Sequence, residues 1–190
     1  MRGGPLVLLI GLLAGCSAPI SGAPVAVPAV ANPLPSDGAP KVDRTVDPGR
    51  FLTNPCAMFT DAQRKTVGFG DGKPSTPENG AVCEWDGSAG GFAKVQFLTT
   101  NVRGLSAPYA NRNAGGFAYF EPTLIHGQPG IFANPLDQRS MGECVVLIGL
   151  DDKLLLWLSV HQSPAKVGTK SPCDVAATVV GLALDTMLAG

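Results

Sequence analysis

Between residues 81 and 161 apolar positions recur at every second residue or in short unbroken runs, and beyond residue 172 they recur every three to four. Ala81 to Trp85 alternates, which sets Cys83 and Trp85 on one side of a strand and Glu84 on the other. Phe92 to Thr99 reads as the next strand, with Val95 and Phe97 on one side. Residues 144–150 and 154–161 are apolar on both faces and are joined by Asp151-Asp152-Lys153, a tight-turn composition, so the pattern predicts a hairpin central in its sheet. Phe117–Phe120 and Ile131–Ala133 read as weaker strands, and Leu105–Asn111 as a short helix.

Helix signals bracket this region. Thr60 followed by Gln63 is a capping box, with Gly68 placed to end the helix. Ser171-Pro172-Cys173-Asp174 puts a capping hydroxyl, a first-turn proline and an early acid before Val175, Val179, Leu182 and Met187, with Val180 and Leu184 widening the apolar face. The order predicts an α+β domain: an antiparallel sheet packed on one face by an N-terminal and a C-terminal helix. An immunoglobulin-like sandwich fits less well, because Trp85 follows Cys83 by two residues and a helix closes the chain.

Residues 1–50 carry no such period. Arg2, the apolar run Leu6–Leu13 and then Leu13-Ala14-Gly15-Cys16 resemble a lipoprotein leader, the run being shorter than the ~20 residues that span a bilayer. The expectation is a signal peptide over 1–15 and a diacylglycerol-modified, further acylated (palmitate-type) Cys16, which would hold the protein on the outer face of the cytoplasmic membrane. Residues 17–50 hold seven prolines and no aromatic residue, the composition of a semi-extended tether. The boundaries are then 16–50 for the acylated tether and 51–190 for one extracytoplasmic domain.

Composition narrows the chemistry. Fourteen basic against fifteen acidic residues exclude a general electrostatic grip on nucleic acid. Cys56, Cys83, Cys144 and Cys173 are an even set, which outside the membrane suggests two disulfides. Cys56 and Cys173 each follow a proline and precede a helix, while Cys83 and Cys144 each sit in a strand, so Cys56–Cys173 and Cys83–Cys144 are the expected pairs. No close Cys-x-x-Cys or Cys-x-x-His pair offers a metal site.

Catalytic candidates are thin. His126 and His161 are the two histidines, no Gly-x-Ser-x-Gly elbow is present, and adjacent carboxylates in a turn, Asp151 and Asp152, point apart. Gly68 to Lys73 lacks the spacing of a phosphate loop and has Pro74 where Ser or Thr would stand, so it reads as a flexible loop. No catalytic residue and no cofactor are expected. Residues 101–120 gather Arg103, Tyr109, Arg112 and Tyr119 with Phe117 and Phe120. They are either a contact surface for a glycan, lipid headgroup or protein, or core packing of alternate residues, which is the weightier reading. The expected function is a non-catalytic binding or scaffold module of the envelope. A carrier of a lipid or other apolar ligand is the first alternative, a sensor-like or degenerate enzyme domain the second.

The cysteine frame resembles a known family. Asn54-Pro55-Cys56-Ala57-Met58, Cys83-Glu84-Trp85, Gly127-Gln128-Pro129-Gly130, Cys144-Val145-Val146 and Pro172-Cys173-Asp174-Val175-Ala176 follow in the order of the actinobacterial lipoproteins catalogued as domain of unknown function 3558. Gly130 stands where that pattern has Ala. The resemblance implies an actinomycete envelope location and no assigned activity. A second, weaker likeness is to the two-disulfide extracellular sensor domains of mycobacterial serine/threonine kinases.

Overall fold

The computed structural model describes residues 33–189; the leader, the Cys16 motif and residues 17–32 lie outside them. Seven strands, β1 (Phe69–Ser75), β2 (Val82–Gly87), β3 (Phe92–Phe97), β4 (Tyr119–Ile125), β5 (Gln128–Asn134), β6 (Glu143–Gly149) and β7 (Leu155–His161), form one sheet. Its order is β1-β2-β3-β7-β6-β5-β4, with every neighbouring pair antiparallel. The β6–β7 hairpin is central, as its unbroken apolar runs require. The edge strands carry Pro74 and Pro122, where a missing ladder donor costs least, and Pro129 of β5 lies outside the 130–132 stretch that pairs with β6.

Helices α1 (Asp61–Val67), α2 (Ser106–Asn113) and α3 (Pro172–Ala189) complete the fold. Val146, Ile148, Leu156 and Leu158 face one side, where Ala176, Val179, Val180, Ala183 and Leu184 of α3 cover them. Leu147 and Leu155 face the other, against Leu105 and Tyr109 at α2. Helices α1 and α3 pack against the first face, and α2 adds a cover on the second. A central hairpin apolar on both sides needs a cover on each. Helix α3 has the length and hydropathy of a membrane span, but half of it is buried in this core.

Local signals act where the sequence places them. The Thr60 hydroxyl accepts from the Gln63 backbone N–H at 3.2 Å and Gln63 Oε1 accepts from the Thr60 N–H at 2.8 Å, so the capping box is complete. The Gln63 amide also donates to the Leu182 carbonyl at 3.0 Å, tying α1 to α3.

Three expectations are corrected. The disulfides are Cys56–Cys83 and Cys144–Cys173, each with 5.1 Å between Cα atoms. Sheet order is the reason: β2 and β6 stand three strand spacings apart, roughly 14 Å, beyond the ~7 Å reach of a disulfide. Each bond instead joins a strand to the segment covering it, Cys56 from the 3₁₀ turn Pro55–Met58 and Cys173 from the first turn of α3.

Residues 69–75 are not a flexible loop but edge strand β1. A Cβ at Gly72 would stand 2.7 Å from Cys83 Sγ and 2.9 Å from both Cys56 Sγ and the Trp85 indole nitrogen, so glycine here serves close approach.

The domain does not begin at residue 51. Val42 and Val46 are buried, the Val46 N–H donates to the Leu150 carbonyl at 2.8 Å, the Val42 N–H to Asp152 Oδ1 at 3.0 Å, and the Gln128 amide to the Arg44 carbonyl at 2.9 Å. Residues 34–50 belong to the same packed unit as the sheet.

Candidate functional site

A cavity of about 360 Å³ opens at one end of the sheet, within the range of ~300–1,000 Å³ typical of small-ligand sites. Four pieces of chain meet there. Helix α1 ends at Val67, and Gly68 turns the backbone at φ +74° so that Phe69 starts β1. The Gly87–Gly91 turn joins β2 to β3, and Val160 and His161 end β7. The stretch from Gln162 to Lys170 then leads to α3, whose Val175 closes the floor.

Close approach makes the wall. A Cβ on Gly91 would lie 2.7 Å from the His161 carbonyl and 2.8 Å from the Ser163 nitrogen, so the turn rests directly on the end of β7. His161 stacks on Phe92 across the β3–β7 register, 5.3 Å between centroids and 7° between planes. The 163–170 stretch is braced from within. The Lys166 N–H donates to the Ser163 carbonyl at 2.8 Å, the Thr169 hydroxyl to the Lys166 carbonyl at 2.7 Å, and the Gln162 amide to the Lys170 carbonyl at 3.0 Å.

A second, smaller compartment of about 150 Å³ shares Val67, Phe69, Lys170 and Val175 with the first and adds Thr178 and Val179. Residues 175, 178 and 179 lie on one face of α3, so the groove runs about 6 Å along that helix. Its walls are apolar. Its polar lining is Ser88, His161, Gln162, Ser163, Lys166, Thr169, Lys170 and Thr178, with no Asp or Glu.

In residues 101–120, where core packing is the weightier expectation, the two tyrosines pack inward. Tyr109 and Tyr119 are buried, and burial raises the pKa of each phenol above its ordinary value. The Tyr109 ring meets Phe120 edge-on at 4.9 Å, and Arg112 lies over both rings at 5.0 and 4.9 Å. Arg103 pairs with Asp37 at 2.6 Å and so holds the N-terminal segment. Tyr109, Phe120 and Arg112 cover the second sheet face, whereas Tyr119 points to the first, its hydroxyl 3.8 Å from Cys144 Sγ.

The histidines separate. His126 and Gly127 form the two-residue β4–β5 turn, both at positive φ, as a type I′ hairpin requires. His126 Nδ1 lies 2.7 Å from Asp185 Oδ1, while a Cβ on Gly181 would meet its Nε2 at 3.1 Å, so the far nitrogen faces helix α3. Asp151 Oδ1 accepts from the Lys153 and Leu154 N–H groups at 2.6 and 2.7 Å, and Asp152 turns away to Val42. Among the described residues no group of three His, Cys, Asp or Glu side chains could hold a metal ion.

Sequence reasoning missed the cavity. Its walls are Gly-Ser-Ala-Gly-Gly at 87–91 and Ser-Pro-Ala-Lys-Val-Gly-Thr-Lys at 163–170, both ordinary loop compositions. The pairing of β3 with β7 brings them together, and no local pattern announces it.

A family model described as "Protein of unknown function (DUF3558)" matches residues 11–186. The chain belongs to that family. No curated protein and no solved structure matches it.

Proposed function

We propose that this protein is an envelope lipoprotein, anchored to the outer face of the cytoplasmic membrane through an acylated Cys16, and that it binds a small ligand non-catalytically in the cavity at the α1–β1–β7–α3 junction. The cavity is the observation that carries the binding role. It is open to solvent and apolar inside, and its volume of about 360 Å³ suits one small molecule rather than a two-chain lipid. The disulfides and the leader-like residues 1–16 support an oxidising, extracytoplasmic setting.

The non-catalytic reading rests on where the histidines sit. His161 lines the cavity but stacks on Phe92 and has no carboxylate beside it there, while the His126–Asp185 pair lies outside the cavity with its far nitrogen toward helix α3, so among the described residues no histidine–carboxylate pair faces the ligand space.

Two measurements test the proposal. Detergent-phase partitioning of the full chain and of Cys16→Ala should place the parent in the detergent phase and the variant in the aqueous phase; equal partitioning refutes the anchor. Native mass spectrometry of the envelope-purified protein should show an adduct that disappears in Val175→Trp, which fills the cavity; an adduct indifferent to that change refutes the site.

A further inference from the structure

We infer that the ligand is a small anionic amphiphile, its anionic head held by Lys166 and Lys170 and its single short apolar chain lying in the slot of Val67, Phe69, Val175 and Val179. The inference rests on the cavity being the binding site and adds the chemistry of what fills it.

Charge is the first support. The chain as a whole has more acidic than basic residues, 15 against 14, yet two lysines and no carboxylate line this cavity. Neither lysine is engaged. Among the described residues the ion pairs of lysine are Lys73–Asp86 and Lys94–Glu84, both elsewhere. Both side chains are exposed and line the same opening, so an anion seated there meets two positive charges.

Layout is the second. The compartment along α3 is apolar except at Lys170 and Thr178, whereas the larger one carries the hydroxyls of Ser88, Ser163 and Thr169. Lys170 borders both, which sets a cation where two mainly apolar compartments meet, with the hydroxyls on the side of the larger one. A ligand matching that layout has one anionic head and one tail.

Third, the lysine-bearing stretch is fixed. The Gln162 amide holds the Lys170 carbonyl at 3.0 Å and the Gly142 carbonyl accepts from the Gln162 N–H at 2.9 Å. The site is therefore largely preformed, which lowers the ordering cost of binding.

Isothermal titration of the oxidised 17–190 chain, which carries the whole packed unit, tests this with decanoate, decanol, decyltrimethylammonium and acetate as probes. Decanoate should bind one to one, decanol more weakly, and the cationic amphiphile and acetate not detectably. Lys166→Gln/Lys170→Gln should weaken decanoate about five- to ten-fold, leave decanol unchanged and leave the melting temperature unchanged, because both side chains are exposed. Raising salt should weaken decanoate and spare decanol. Amide shifts on decanoate titration should centre on Val67, Phe69 and Val175.

Equal affinity for decanoate and decanol, or indifference to the lysine changes with shifts still centred on the cavity, overturns the anionic ligand while the cavity stands as a binding site. Absence of binding by every probe, or shifts centred elsewhere, overturns both.

Discussion

Removing Cys144–Cys173 by changing both residues to alanine is the sharpest test of the architecture. The bond closes a segment of 29 residues, for which the chain-entropy relation gives about 3.6 kcal/mol of stabilisation at 25 °C. Cys144 is fully buried, so the missing sulfurs also leave a small void and the loss should not fall below that figure by much. At ~2–4 °C per kcal/mol for a domain of this size, the melting temperature should drop by about 7–14 °C. Urea titration and calorimetry of parent and variant measure both.

Tryptic digestion of the denatured, unreduced parent supplies the second readout. Cleavage after Arg103, Arg112 and Arg139 should separate a Cys56–Cys83 piece from a Cys144–Cys173 piece, since no bond crosses between them. A peptide joining Cys83 to Cys144, or a stability change under ~1 kcal/mol, would refute the reasoning.

Gly130→Ala should destabilise by about 1–3 kcal/mol in urea, because the new Cβ would stand 2.5 Å from Ile148 Cδ1 and 2.7 Å from the Leu147 carbonyl. Ile148→Val should rescue it in part only, since the backbone oxygen stays; full rescue would show that the side chain alone was limiting. Burial raises both tyrosine pKa values, so in an ultraviolet titration both phenols should ionise later than the ~10 of a free tyrosine. The stability this represents is whole below pH ~10 and is lost as pH rises through the folded-state values; ordinary titration in the folded protein would contradict the burial. The Arg139 guanidinium, bonded to Asp137, holds that carboxyl down at about 2. Its contribution is present above pH ~3.9 and disappears as pH falls toward 2, and Arg139→Gln should return the Asp137 carboxyl-carbon midpoint to ~3.9. An unmoved midpoint would refute the pair.

Much of this fold was legible along the chain. Capping chemistry acts over three or four residues, so α1 starts and stops where Thr60 and Gly68 place it, and α3 starts where Ser171 and Pro172 do. Period-two burial is equally local, and the unbroken apolar runs of β6 and β7 marked a central hairpin, though not the α2 cover on its second face. Strand order was another matter. It depends on which edges meet after the chain has crossed the molecule, a choice set by non-local packing free energy rather than by neighbours in sequence. That choice made β1 out of glycine- and proline-rich loop composition, put two strands between Cys83 and Cys144, and drew Val42 and Val46 into the packed unit. It also placed the 87–91 turn on the end of β7 and opened the cavity with its two lysines. Residue chemistry was written in the sequence; which distant residues share a site was decided by the tertiary structure, because a site is a set of distances and the chain fixes only the short ones.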